Sequence, residues 1–493
     1  MKKRIINTII VTTLFLIMIV AIQSCKKDDF LSTPPTGITD ATFFSTDAAA
    51  LNALAGVYDP LGWYNFSQLT EWAIGDAVSD DAEKGGGGDG DYAEIYALTS
   101  FTANAENPLI ASRWNDFYVG INRANRLIEG LTDNDNITPS LRKRVIAEAR
   151  FLRAFYYFGL VKTFGSVPIV DHILAPSEYK PIRNTLEECW AFIEGDLKAA
   201  AVDLPRKSEL DPLEQGRATW GAASAFLTKA YIFEEKWPEA EALAIEIVNS
   251  GEYDLEPNYG DEFTIATDNG IESVFDIQFK DLQMPGWLDE NEGCHLEVIM
   301  RSRDDRNGGW GFDQPTQDLY DEFEEDDPRR EYTIISDGDT LWKGTDDEEV
   351  FYTKKDPVHN PDSYTDYNNR KRALPASLRG NGEDQAGMNL RVIRFAEVLL
   401  WQAEAAAHNG SNWQTPLNRV RARVGLAESL FSNPLEAVYH ERRVELAMEG
   451  HRYWDLVRTG RGNLMEGYTD NKRYLLIPQI EINLNPNLVQ NPY

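Results

Sequence analysis

Three stretches of this 493-residue chain set aromatic rings beside turn-forming residues. "YDPLGWYNFSQLTEW" carries Tyr58, Trp63, Tyr64 and Trp72, with Trp63 and Tyr64 close to Pro60 and Gly62. "MPGWLDE" carries Trp287, and "RNGGWGFDQ" carries Trp310, both flanked by glycine. A ring in such sequence has few neighbours to bury against. It offers a flat apolar face, and a few polar groups beside it would complete a site for non-covalent recognition. Trp114, Trp190, Trp220, Trp401 and Trp454 instead fall on helical stripes and read as core.

Polar partners for such rings are present. "SDDAEKGGGGDGDY", residues 79 to 92, ends in Asp89, Asp91 and Tyr92. Four glycines hold no single conformation cheaply, so the run reads as a solvated loop or as a flexible rim whose Asp89, Asp91 and Tyr92 meet a ligand. It is not a phosphate loop, because no Gly-Lys-Ser/Thr follows, and it lacks the remaining ligands of an EF-hand. A structural calcium ion at Asp89 and Asp91 is the outlying alternative. Arg301, Arg303 and Arg306 precede Trp310, and their guanidinium forks suit hydroxyls or carboxylates. They equally suit the acids of "YDEFEEDDPRR".

Catalysis has no comparable signature. The six histidines, at 172, 295, 359, 408, 440 and 451, show no metal-ligand spacing, and no Gly-x-Ser-x-Gly elbow occurs. Eighty acidic residues could hide a carboxylate pair that spacing cannot reveal. The formal net charge is −32 at pH 7. Loss of the first 24 residues, with three basic and no acidic side chains, would make it −35. Nucleic acid is thereby disfavoured as a partner, since phosphate binding needs a positive footprint.

The elements that must position these groups begin at the N-terminus. Lys2, Lys3 and Arg4 precede an uncharged run from Ile5 to Ile22, and Ser24-Cys25 follows. A basic segment before an apolar one reads as a secretory signal. The competing reading is a membrane anchor, since about 18 apolar residues just span a bilayer. Cys25 favours a lipoprotein whose thiol is acylated, a mode of attachment that needs no spanning segment. "STPPTG" then marks a polar tether to about residue 40. Only Cys189 and Cys294 remain, so no disulfide framework exists, although one bridge between them is open.

Helical periodicity dominates thereafter. Apolar residues recur at threes and fours through Trp114, Phe117, Ile121, Ala124 and Ile128, a run that Gly130 closes. A second such run follows through Val145, Ala149, Leu152, Tyr156 and Leu160. Two segments read as helix–turn–helix pairs of tetratricopeptide type. In the first, Ala223, Phe226, Ala230 and Phe233 face Ala240, Leu243, Ala244 and Ile247 across a turn that restarts at Pro238. In the second, a helix through Val392, Phe395, Leu399, Ala403 and Ala406 is broken at Asn409-Gly410 and resumes through Leu417, Val420 and Val424. Residues 251 to 390 are rich in Gly, Asp, Asn and Pro and read as long loops with a few short strands. Loops on a rigid scaffold are where binding residues concentrate. The fold class expected is mainly α: tetratricopeptide-like pairs overlaid by loops and short strands.

Four runs then share a pattern: "AEARFLRAFYYFGLVKTFGSVPIV", "VIRFAEVLLWQAEA", "ERRVELAMEGHRYWDLVR" and "LLIPQIEINLNPNLVQNP". Together they resemble the RagB/SusD family of outer-membrane nutrient-binding lipoproteins. The charges of the third run have helical spacing and read as scaffold, and the fourth reads as a closing extended segment. The "KKDD" after Cys25 is similar to the export signal of surface lipoproteins in Bacteroidetes-type bacteria. The resemblance implies a signal peptide over 1–24, a lipidated tether over 25–40, a helical part over 41–250 and a loop-rich part with closing helices over 251–493. It implies a lipid-anchored outer-membrane protein facing the cell exterior. Such a protein binds glycan without catalysis and acts as a lid on a SusC-like TonB-dependent transporter. The same lid role for peptides or another non-sugar nutrient is the alternative, with a glycoside-active enzyme more distant. On that reading the glycan contacts are sought among Trp63, Tyr64, Trp72, Asp89, Asp91, Tyr92, Trp287, Arg306 and Trp310, with Cys25 the lipidated residue and no cofactor.

Overall fold

A computed structural model describes residues 44–280, 293–379, 385–429 and 431–493. The chain enters through α1 (Asp47–Tyr58), capped by the Thr46 hydroxyl on the Ala49 amide. A 3₁₀ turn and a π-helical turn over Tyr64–Leu69 lead into α2 (Thr70–Gly75), strand β1 (Ala82–Gly85) and α3 (Ala93–Thr99). Two long helices follow, α4 (Pro108–Leu131) and α5 (Pro139–Phe164), each with proline in its first turn, where the missing N–H costs nothing. Gly130 does not close α4. The helix runs on to Leu131, and Gly130 leaves room for the ring of Phe44.

Next come α6 (Leu186–Asp203), α7 (Trp220–Phe233) and α8 (Trp237–Asn249). Thr185 and Glu188 form a capping box on α6. The expected first pair is α7–α8: Ala222, Ala223, Ala230, Ala240 and Ala244 are fully buried, and side chains that small let helix axes approach closely. The loop-rich region holds β2 (Ser273–Ile277), α9 (Leu296–Met300), β3 (Phe312–Pro315), α10 (Gln317–Glu322), α11 (Arg329–Thr333), β4 (Ile334–Ser336), β5 (Thr340–Leu341), β6 (Glu349–Val350), β7 (Tyr367–Asn369) and β8 (Leu390–Arg394). The second pair is α12 (Phe395–Asn409) with α13 (Gln414–Arg423), and Gly410 closes α12 in the left-handed conformation. The C-terminal part comprises α14 (Pro434–Leu446), α15 (Arg452–Arg458) and α16 (Gln479–Leu484).

All strand pairing among the described residues is antiparallel and two-stranded: β1–β3, β2–β8, β4–β7 and β5–β6. Two expectations are corrected here. Val392 belongs to β8, because the β-branched run "RVIR" pairs with Phe275 and Asp276 of β2 before the helix begins at Phe395. The "IPQIEINLNPNL" segment is not extended throughout, since a turn and a half of helix interrupts it. Cys189 and Cys294 are buried free thiols, so the open bridge is not made. The five tryptophans assigned to the core are all buried. No helix among the described residues is long and apolar enough to cross a membrane.

Candidate functional site

The glycine run is anchored from below by the charged C-terminal motif. Arg443 Nε lies 2.7 Å from Asp81 Oδ1, Arg452 forks onto Asp80 at 2.7 and 2.8 Å, and the Gly450 amide donates to Asp76. These ties fix residues 76–81, and with them the start of β1. Strand β1 then pairs with β3, Glu83 opposite Gln314 and Gly85 opposite Phe312. Gly85 (φ +70°) and Gly86 (φ +76°) are held in a conformation that L side chains resist. A β-carbon would fall 2.1 Å from Gly311 O at the first and 2.3 Å from the Phe312 ring at the second. The glycines are therefore required by close approach.

Beyond them the chain folds back on itself. The Gly87 amide donates to Asp91 Oδ2 at 2.7 Å, and the Asp91 amide donates to Gly88 O at 3.1 Å. Arg303 Nη1 sits 3.4 Å from Asp91 Oδ2 and donates weakly to Trp310 O at 3.5 Å. The Tyr364 hydroxyl donates to Asp89. Tyr92 (φ +50°) opens α3; its ring stands edge-on to Phe312 at 5.5 Å, and its hydroxyl shares a hydrogen bond of 3.2 Å with that of Tyr64. Burial first, and then that hydrogen bond, push the Tyr64 phenol well above its usual range, so it stays a neutral donor.

Tyr64 is brought here by Gln68, whose placement depends on the π-helical turn. The Gln68 amide donates to Gly62 O at 3.0 Å and Gly293 O at 3.2 Å, and its oxygen accepts from the His295 amide at 2.6 Å. One buried side chain thus staples the Tyr64 turn to the start of the segment that leads to Arg303 and Trp310. Tyr64 meets His295 edge-on at 5.6 Å. The resulting face gathers half-buried Tyr64 and Tyr92 with Asp89, Asp91, Arg303 and Tyr364, and half-buried Trp310 adjoins it through the backbone carbonyl that accepts from Arg303. Aromatic rings stand there beside hydroxyl, carboxylate and guanidinium groups, a composition that suits a hydroxylated ligand.

The structure thus brings Tyr64, Asp89, Asp91 and Tyr92 together, and Trp310 adjoins them through its backbone carbonyl. Trp72 is corrected: it is 4 % exposed, its indole N–H donates to Gln68 O at 2.9 Å, and it supports Phe312 from beneath. Arg306 is occupied by its own neighbours. Its Nε and Nη2 donate to Asp304 at 2.6 Å each, and its guanidinium lies 3.5 Å over Tyr352, so it stands apart from the face. Trp63 belongs to a different cluster. Its indole donates to Asp59, Arg123 lies 5.3 Å from its ring, and it lines a groove of about 1090 Å³ with Tyr58, Arg217 and Gln278. Trp287 and Cys25 lie outside the described residues. Among those described, no three His, Cys, Asp or Glu side chains are placed to hold a metal ion. Sequence reasoning missed Gln68, Lys84, His295 and Tyr364. Gln68, His295 and Tyr364 have partners remote in sequence, whereas Lys84 bonds within its own loop and, as a lysine inside an acidic glycine run, was the one readable signal.

Comparison with known proteins identifies the family of the chain and its fold. The family model described as "SusD family" matches residues 271–493, and one described as "Starch-binding associating with outer membrane" matches residues 90–232. The chain is 26 % identical to a SusD-like protein of Bacteroides ovatus over 467 residues, which is 87 % of this chain and 79 % of the relative. It is 23 % identical to the starch-binding protein SusD of Bacteroides thetaiotaomicron over 424 residues, 74 % of each chain. Among solved structures, a laminarin-binding SusD-like protein is similar with a TM-score of 0.81 and 31 % identity, covering 91 % of this chain and 99 % of the other. Surface glycan-binding protein A of B. thetaiotaomicron, in complex with laminarihexaose, superposes with a TM-score of 0.77 and 25 % identity, over 91 % of this chain and all of that one.

Proposed function

The chain belongs to the SusD family, and on that premise we propose that it is a non-catalytic, lipid-anchored surface protein that binds a glycan and passes it to a SusC-like TonB-dependent transporter. The observation that carries this reading is the face built from Tyr64 and Tyr92 with Asp89, Asp91, Arg303 and Tyr364, beside the Trp310 turn whose carbonyl accepts from Arg303. Rings held by remote parts of the chain are pre-organised, so little ordering cost is incurred on binding. An uncharged glycan suits the electrostatics. The molecule carries a large net negative charge, the face adds Asp89 and Asp91, and Asp91 already partners Arg303. Similarity to laminarin-binding proteins makes a neutral β-glucan the first ligand to test.

Calorimetry with laminarin, starch and a polyanionic glycan tests the reading on the mature chain. Laminarin or starch binds, and the polyanion does not. Tyr92→Ala and Trp310→Ala each weaken binding by about 1.5 kcal/mol, roughly tenfold, with thermal stability little changed. Retained affinity in both variants rules this face out, and binding only of peptides shifts the role to the non-sugar alternative. Product analysis after incubation with the bound glycan finds it intact, whereas cleavage would make the protein an enzyme. Replacement of Cys25 by Ala releases the protein from the membrane fraction and abolishes acyl labelling. Wild-type protein extracted from membranes co-purifies with the transporter.

A further inference from the structure

We propose that Lys84 is the positioning residue of this face: its ammonium group, acting where a loop of this composition would invite a metal ion, gathers the glycine run and holds Asp89, Asp91 and Tyr92 in place for the ligand. The inference rests on the reading of the face as a glycan site. Lys84 is 2 % exposed although it sits at the end of β1, inside a run of glycines and acids. Its Nζ donates to Gly85 O at 2.8 Å, Gly88 O at 3.0 Å and Asp91 O at 2.7 Å. An ammonium has three donors and no acceptor, so all three of its protons are used. The three carbonyls come from the beginning, middle and end of the loop, and one point charge therefore closes seven residues into a ring. The Phe312 ring lies 5.3 Å from the ammonium, and the Tyr364 ring 6.0 Å away. Asp89 and Asp91 supply the compensating negative charge, while Arg303 opposes it.

The geometry explains the sequence around it. Gly85 lies against Gly311 and Gly86 on the Phe312 ring, and the chain turns so that the carbonyls of Gly85, Gly88 and Asp91 meet at the Lys84 ammonium. Carbonyls so directed would repel one another unless a cation lay between them. A calcium ion demands six to eight oxygens, and three carbonyls fall short of that. Lysine's compact ammonium on a flexible stem matches three converging acceptors, which the planar fork of arginine does not. The last of these carbonyls is Asp91's own and Tyr92 follows it directly, so both side chains are aimed by the same centre.

Hydrogen exchange on the mature protein tests the proposal without reference to any glycan. In the wild type the Gly86, Gly87 and Asp91 amides are protected by their bonds to Gly311 O, Asp91 Oδ2 and Gly88 O. EDTA leaves that protection unchanged. In Lys84→Met those three amides exchange at least tenfold faster while the amides of α5 keep their wild-type rates, and laminarin affinity falls tenfold or more. Unchanged protection in Lys84→Met, or loosening of the wild-type loop by EDTA, overturns the proposal. Should the variant not fold, reductive methylation of the wild type decides: exposed lysines are modified and Lys84 is not, whereas a reactive Lys84 overturns it. If the exchange results hold but wild type binds no saccharide, the glycan reading fails and the organising role of Lys84 stands.

Discussion

Gly86 is seated where a β-carbon would enter the Phe312 ring, at a φ of +76°. Gly86→Ala combines strained backbone with a steric conflict, and each such conformation costs about 1–3 kcal/mol. A lowered urea midpoint and weakened glycan binding are the expected result; a variant with wild-type values for both would show that the loop is not held against Phe312. The same scale shows why ring positions were only half readable. Glycine neighbours indicate a loop, and Trp310 does lie in a glycine-rich turn whose backbone meets Arg303. They do not indicate which side of the loop a ring takes. Trp72 is covered because Phe312, 240 positions further along the chain, packs upon it. Arg306 was legible in principle: Asp304 lies two residues away, and a short Asp-x-Arg spacing lets the fork close on its own chain.

Among elements, α14 bears the heaviest electrostatic burden. Glu441 and Glu445 project from it into the interior, and Glu449 follows just beyond its end. Arg394 reaches Glu445 at 3.0 Å and Glu449 at 2.8 Å and also pairs with Glu272, while Arg329 and Arg423 contact Glu445 as well. Arg394→Met removes a fully buried cation and leaves three carboxylates short of a partner. Breaking a buried pair in this way costs about 3–5 kcal/mol, to be read from chemical denaturation. A loss below about 1 kcal/mol, the level of an exposed pair, would mean that water reaches this network. The helical spacing of these charges was plain in the sequence. Their partners were not, because Arg394 ends β8, whose short apolar run also fits a helix, and Glu272 stands in the loop just before β2. That ambiguity placed Val392 in α12 and hid β8.

At the scale of the whole molecule, buried titratable groups set the response to acid. Burial raises the Glu71 carboxyl, but Arg113 and Lys162 overcome it and hold the group down to about 2. Glu445 is likewise held down to about 2 by Arg423, Arg394 and Arg329 against burial. Such carboxylates contribute stability that is complete above the unfolded value of about 4.3 and is lost as pH falls toward 2. His451 is pushed by burial down to about 4, so the unfolded chain takes up its proton first and stability declines from about pH 6.5 to 4. Asp313 and Glu297, each raised by burial to about 7, act in the opposite sense and lose stability as pH rises toward 7. On acidification the two raised carboxyls outweigh the one histidine, so the melting temperature should rise from pH 7 to about 4.5 and fall steeply below, where the ion-paired carboxylates take up protons. A steady decline starting at neutral pH would contradict the pairing described.

Periodicity and composition determined the helical scaffold: the alanine-rich faces of α7, α8 and α12, the prolines that start helices and the glycine that ends α12 are local features that need no remote partner. Charge alone determined that phosphate-rich ligands are disfavoured. The loop-bearing face was decided only in three dimensions. Residues 64, 68, 84, 89, 91, 92, 303, 310 and 364 are joined by hydrogen bonds and ring contacts across as many as 280 positions of chain. Loop segments lack the repeating pattern that would announce such contacts. Whether a ring is core or surface, and whether a lysine is solvated or an internal clasp, depends on what the rest of the chain lays against it, and that is a property of packing.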